Sequence, residues 1–194
     1  MLRKSVPSVV FTLAASFFCA STLFAWSAGP PAYRTGASGD DGTCNDASCH
    51  NAYSLNAGSA KFAVTAPASY TAGKSLKIKV SFSSSTGKSH GFEMTALDGG
   101  GKRVGTFKKI GNTVQVIPAS DYRGLEKADK NKYIEHTYAG MKKKQWVVNW
   151  TAPAGATDPI TFYAAGCAAD GSGGSDKDYV YTATAEISAG ASNP

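Results

Sequence analysis

The sequence predicts an all-β domain, an antiparallel β-sandwich, on three observations. Apolar and polar residues alternate with a period of two, most clearly in Leu76-Lys77-Ile78-Lys79-Val80-Ser81-Phe82. Gly, Pro, Ser and Asp punctuate these stretches at short intervals, and 21 of the 194 residues are glycine. No rhythm of alternating strand and helix patterns runs through the chain, which argues against a βαβ architecture.

Each element follows from its own residues. Residues 26–58 read as irregular, with Pro30-Pro31 and many Gly and Ser. From about residue 60 Phe62-Val64-Ala66 alternate with polar neighbours, followed by the Leu76–Phe82 stretch. Phe92, Met94 and Ala96 then alternate with Glu93 and Thr95. A short strand around Val104 and Phe107 follows the Gly99-Gly100-Gly101 turn, and Thr113 to Ile117 make another. Ile134, His136 and Tyr138 share one face, and Trp146, Val148 and Trp150 share one face of a strong strand. Ile160-Phe162-Ala164 come after the Pro153/Pro159 turn, and Tyr179 to Ile187 close the domain. Residues 120–131 carry one helical turn, and Gly166 to Asp178 form a long loop rich in Gly, Ser and Asp. Roughly nine short strands with turns between them fit a sandwich of the immunoglobulin-like class.

Composition narrows the function. Charged residues are 18% and hydrophobic ones 42%, as in a globular protein. The formal charge of +6 includes Arg3 and Lys4. The lysines of 142–144 and 127–132 lack interleaved arginine and aromatic residues, so nucleic-acid binding has no support. Arg3, Lys4, the apolar run Val9 to Phe24 and the small Ala25 have the order of a secretory signal. Expected organisation is therefore a signal over 1–25, an N-terminal segment over 26–58, a sandwich over 59–188 and a tail over 189–194 without a sorting anchor. The expected location is the periplasm or the cell exterior, with no membrane span in the mature chain. Cys44, Cys49 and Cys167 then remain, an odd count for an exported protein.

The chemistry-bearing stretch is Cys44-Asn45-Asp46-Ala47-Ser48-Cys49-His50. Two cysteines followed directly by a histidine form an attachment site for a c-type haem: each thiol adds across one vinyl group and the adjacent imidazole reaches the iron. The usual spacing has two intervening residues, whereas here there are four, all small and turn-compatible, so the extra length loops out. Two other readings compete. Cys44 and Cys49 make a disulfide across a tight loop, or Cys44, Cys49 and His50 hold a metal ion, for which no fourth ligand lies nearby in sequence.

Several phrases occur in a recognisable order. They are Tyr33-Arg34-Thr35-Gly36-Ala37, Ser69 to Lys74, Gly91-Phe92-Glu93-Met94-Thr95-Ala96-Leu97, Tyr133-Ile134-Glu135-His136-Thr137, Trp146 to Pro153, Phe162 to Gly166 and Asp178 to Thr182. Over most of residues 33–188 the chain resembles the Reeler-like "choice-of-anchor V" domains of exported bacterial proteins. The resemblance implies a β-sandwich and a haem-type Cys-x-x-Cys-His site near the N-terminus. This chain departs from it in its wider cysteine spacing and in Cys167, which stands where such domains usually carry Asn.

With Cys44 and Cys49 as haem-binding residues and His50 as one iron ligand, a second ligand is needed. His136 is the first choice, in agreement with the recurrent Tyr-x-x-His-Thr phrase of the resemblance; His90 is the second, and Met94 a distant third. Two histidine ligands close the iron to substrate, so the expected function is one-electron transfer by a single covalent haem c, with redox proteins as partners. No serine sits in a nucleophile-elbow setting, and the chain is expected not to be an enzyme. Cys167, at a strand end, is expected near the surface, where it or the edge strands would join two copies, with a buried, inert thiol as the alternative. The competing function is a haem-free structural or adhesive sandwich at the cell surface, stapled by Cys44–Cys49.

Overall fold

In the computed structural model, the described residues are 28–46, 49–120 and 122–190; the secretory signal expected over 1–25 lies outside them. Ten strands form two sheets: β1 (Lys61–Thr65), β2 (Ser69–Tyr70), β3 (Ser75–Ser83), β4 (Ser89–Leu97), β5 (Thr106–Lys109), β6 (Val114–Val116), β7 (Ile134–His136), β8 (Gln145–Thr151), β9 (Ile160–Ala169) and β10 (Tyr179–Ala189). The four-stranded sheet has the order β1-β3-β8-β5, and the six-stranded sheet β2-β10-β9-β4-β7-β6. All pairs are antiparallel except β2 with β10. The all-β sandwich expected from the period-two pattern is therefore the fold. The tenth strand is β2, whose two residues are too few to show a period. The helical turn falls at Lys127–Asp129. Among the described residues no helix is long and apolar enough to cross a membrane.

The core lies between the sheets and is built from the predicted apolar faces. Ile78, Val80 and Phe82 of β3 and Trp146, Val148 and Trp150 of β8 meet Phe92, Met94 and Ala96 of β4 and Phe162 and Ala164 of β9. Burying the two indoles requires partners for their N–H groups. Trp146 Nε1 donates to Gly140 O at 3.2 Å, and Trp150 Nε1 to Val104 O at 3.3 Å. Trp150 also meets the Phe162 ring edge-on at 5.0 Å.

A third layer makes this sandwich unusual. In β4 every residue after Ser89 is buried, the outward-facing Glu93 and Thr95 as fully as Phe92 and Met94. Alternation alone assigns Glu93 and Thr95 to solvent. They are covered because the N-terminal segment, irregular as predicted, lies across the outer face of the six-stranded sheet. Ala32 N–H donates to Arg123 O at 2.9 Å, Arg34 N–H to Glu93 Oε1 at 3.3 Å, and Asn56 N–H to Val180 O at 2.8 Å. Ala32 packs with Ile117, Leu125 and Tyr133, and Cys44 packs with Ala165, Cys167 and Val180. A second hold is polar: Asp40 takes an ion pair from Arg103 at 2.7 Å and a hydrogen bond from the Tyr133 hydroxyl at 2.5 Å.

Candidate cysteine and histidine site

The site forms between that layer and the sheet. Thr35 and Thr43 pair in a small antiparallel bridge, which delivers the chain to Cys44. His50 N–H then donates to Cys44 O at 3.1 Å, and Cys49 N–H to Asp46 O at 2.9 Å. The first of these bonds brings the His50 backbone back to Cys44; Ala47 and Ser48, on which the expected loop-out rests, lie outside the described residues. Cys44 is buried and Cys49 half-buried; neither they nor Cys167 is joined in a disulfide.

The sheet brings its own residues to this spot. Cys167 in β9 sits between Gly91 of β4 and Val180 of β10, in register with both. Asp178, just before β10, is 1% exposed and takes His50 Nδ1 at 2.8 Å. Its other oxygen accepts the Asp170 N–H at 2.9 Å, which fixes the carboxylate. One donor atom each from His50, Cys167 and Asp178 lies within 4.8 Å of the others. Sequence reasoning missed Asp178 as a partner of His50 and missed Cys167 as a member of this group. The available signal was the odd cysteine count.

Cys167 is buried, which corrects the surface expectation in favour of the buried alternative: a bridge between two copies through it requires the Cys44 cover to open. Burial pushes the Cys44 and Cys167 thiols up; Glu93 and Cys49 raise Cys44 further, and Cys44 and Asp178 raise Cys167, so both are neutral.

His136 closes β7, and the strand stops there; Tyr138 is 66% exposed and starts a 3₁₀ turn rather than extending a core face. The imidazole is buried and its Nδ1 meets both Phe92 N at 3.1 Å and Phe92 O at 3.2 Å. It lies where a side chain on Gly91 would stand, since a Cβ there would overlap the ring. The ring therefore reaches from β7 across β4, along the outer face toward Cys167. Burial lowers its pKa to about 4, and proximity to Arg123 and His50 adds to the shift.

His90, the second choice, is on the other face. Its Nε2 pairs with Ser85 Oγ at 2.8 Å and its ring packs 5.1 Å from Phe82. Met94 is fully buried in the core. Of the predicted site residues, the fold thus gathers Cys44, Cys49, His50 and His136 and leaves His90 apart.

Behind His136 are two buried carboxyls, Glu93 and Glu135, opposite one another in the β4–β7 ladder. Arg123 pairs with Glu135 at 2.5 Å, and Gln115 donates to it at 2.6 Å. Glu93 has no such cation, and its Oε2 is unpartnered. Burial and the neighbouring Glu135 push Glu93 well above the usual carboxylate range, so it holds a proton.

Residues 42–169 match the sequence profile of the Reeler domain. That span is roughly two thirds of the chain and includes Cys44, Cys49, His50, His136 and Cys167. A search of curated proteins finds no match to the chain.

Proposed function

The chain belongs to the Reeler domain family, and we propose that it uses this sandwich as an exported carrier of one covalent haem c, passing single electrons between redox proteins rather than catalysing a reaction. The observation that carries the reading is the anchoring of His50. With the proton on Nδ1, the imidazole donates to the buried Asp178 and presents the Nε2 lone pair away from it. A carboxylate holding the far nitrogen of a ligating histidine orients the ring and strengthens its basicity.

The other residues fit a haem as well. Cys44, bonded through its carbonyl to the His50 N–H, and the adjacent Cys49 are thiols outside any disulfide that would add across two vinyl groups. Ala165, Val180 and the Gly91 position give the site small or apolar neighbours. His136 is tied through Nδ1 to Phe92, which leaves Nε2 as the nitrogen that would take the iron. The half-exposed Tyr53, stacked 4.2 Å from Tyr179, and Leu55 supply an apolar rim next to the Cys44–His50 loop. Bound there, a haem supplies a reversible one-electron couple.

The test is an intact mass, with a visible spectrum, of chain purified from cells able to mature c-type cytochromes. The haem mass survives denaturation and is lost when Cys44→Ala and Cys49→Ala are combined. A mass equal to the bare polypeptide overturns the proposal and leaves the structural or adhesive sandwich.

A further inference from the structure

Cys167 has no role in holding a haem, yet its sulfur lies within 4.8 Å of donor atoms of His50 and Asp178. We propose that, in the haem-free chain, His50, Cys167 and Asp178 form a binding site for a divalent transition-metal ion of the zinc class. This goes beyond the haem reading and does not depend on it.

Three donor types converge: an imidazole nitrogen, a thiol sulfur and a carboxylate oxygen, within 4.8 Å of one another. Around a tetrahedral zinc ion, with bonds of about 2.0–2.3 Å, such donors stand roughly 3.3–3.8 Å apart. His50 Nδ1 and Asp178 Oδ2, at 2.8 Å, therefore part by about half an ångström, and the longest separation, up to 4.8 Å, closes by about 1–1.5 Å. Two of the three are on rigid backbone: Cys167 is inside β9, paired on both sides, and Asp178 is held by the Asp170 N–H at 2.9 Å. His50 comes from the closed loop above them. Cys44 packs in the same buried group as Cys167, and a water or Cys44 would complete the tetrahedron. Imidazole, thiolate and carboxylate together suit zinc or cobalt(II) better than calcium or magnesium, which prefer oxygen alone.

The protons balance. Cys167 gives its thiol proton to solvent as the sulfur binds; the His50 proton passes from Nδ1 to Nε2 by exchange with solvent, with no net release, and Nδ1, freed from its bond to Asp178, takes the ion. A haem iron on Nε2 needs Nδ1 protonated, whereas an ion on Nδ1 needs its lone pair. The two occupants therefore exclude one another at His50.

The probe is Co²⁺, titrated into reduced full-length chain made in cells without a c-type haem ligation system. The expected result is a sulfur-to-cobalt charge-transfer band, visible bands of tetrahedral intensity, about one proton released per ion, and displacement by Zn²⁺. Cys167→Ser removes the charge-transfer band and weakens binding by more than about 100-fold, beyond the cost of altering an outer-shell partner. Asp178→Asn and His50→Ala also weaken binding while the chain keeps cooperative unfolding; His50 is the least buried of the three and tests the site even if Cys167→Ser does not fold. No band in the wild-type chain, or an unchanged band in Cys167→Ser, overturns the proposal. Because this chain carries no haem, failure here leaves the haem reading intact, and failure of the mass measurement above leaves this one intact.

Discussion

The ring of His136 occupies the volume that a side chain at Gly91 would fill. Glycine inside a central strand weakens it, and this one is kept by the close approach of an imidazole. Gly91→Ala therefore displaces His136 from Phe92 and costs about 1–3 kcal/mol of stability, as expected for overpacking. Urea unfolding measures the loss. In haem-loaded protein the same variant shifts the oxidised spectrum from low spin toward high spin, as does His136→Ala, whereas His90→Ala leaves it unchanged.

Asp178 holds His50 and the Asp170 N–H with its two oxygens. Asp178→Asn keeps the shape but removes the charge. The expected cost is about 1–3 kcal/mol in unfolding free energy. In haem-loaded protein the midpoint potential rises, because a negative charge behind the iron ligand favours the oxidised state. Equilibrium denaturation and a redox titration check the two effects separately.

Of Cys44, Cys49 and Cys167, only Cys49 reaches solvent to a useful degree. In the reduced, haem-free chain a charged thiol reagent modifies Cys49 first, and Cys44 and Cys167 react only after unfolding. Burial keeps both of those thiols protonated, and the thiolate is the reactive form. Peptide mapping of the labelled cysteines, with and without denaturant, tests this order.

Glu93 gives the fold a pH dependence of defined sign. Folded, it keeps its proton well above the usual value of 4.5, while the unfolded chain ionises near that value. The folded state binds the extra proton in this range, so the contribution of Glu93 is complete below about pH 4.5 and is lost as pH rises. Glu93→Gln removes the effect. The variant gains on the wild type by up to about 1.4 kcal/mol per pH unit above pH 4.5, until the folded carboxyl also ionises. His90 and His136, lowered to about 4 by burial, act in the opposite direction and cost stability as pH falls from 6.5 toward 4. They are present in both proteins, so the difference between urea unfolding curves at several pH values isolates Glu93.

Trp150 is fully buried against Phe162 and bonded to Val104 O. Trp150→Ala leaves a cavity and an unpaired carbonyl, at an expected cost of about 3–5 kcal/mol. Thermal unfolding followed by circular dichroism measures it.

What the sequence determined by itself is local. A period of two is visible in any strand with one apolar face, so β3, β8 and β9 and the core tryptophans were legible from spacing alone. The adjacency of Cys49 and His50 was equally legible, because a covalent neighbour cannot be separated by folding. Alternation failed at Glu93 and Thr95, because it assumes that the second face of a sheet meets water. Here an irregular segment with no period of its own covers that face, held by Cys44, Arg34 and Asn56 on partners far away in the chain. Only the tertiary structure decided that Asp178, 128 residues from His50, meets it at 2.8 Å. The same holds for Cys167, which lies beneath Cys44, and for His136, which reaches toward them over Gly91. The reason is strand order: β9, late in sequence, sits between β4 and β10 in the sheet, and pairing across such long separations leaves no trace in local spacing.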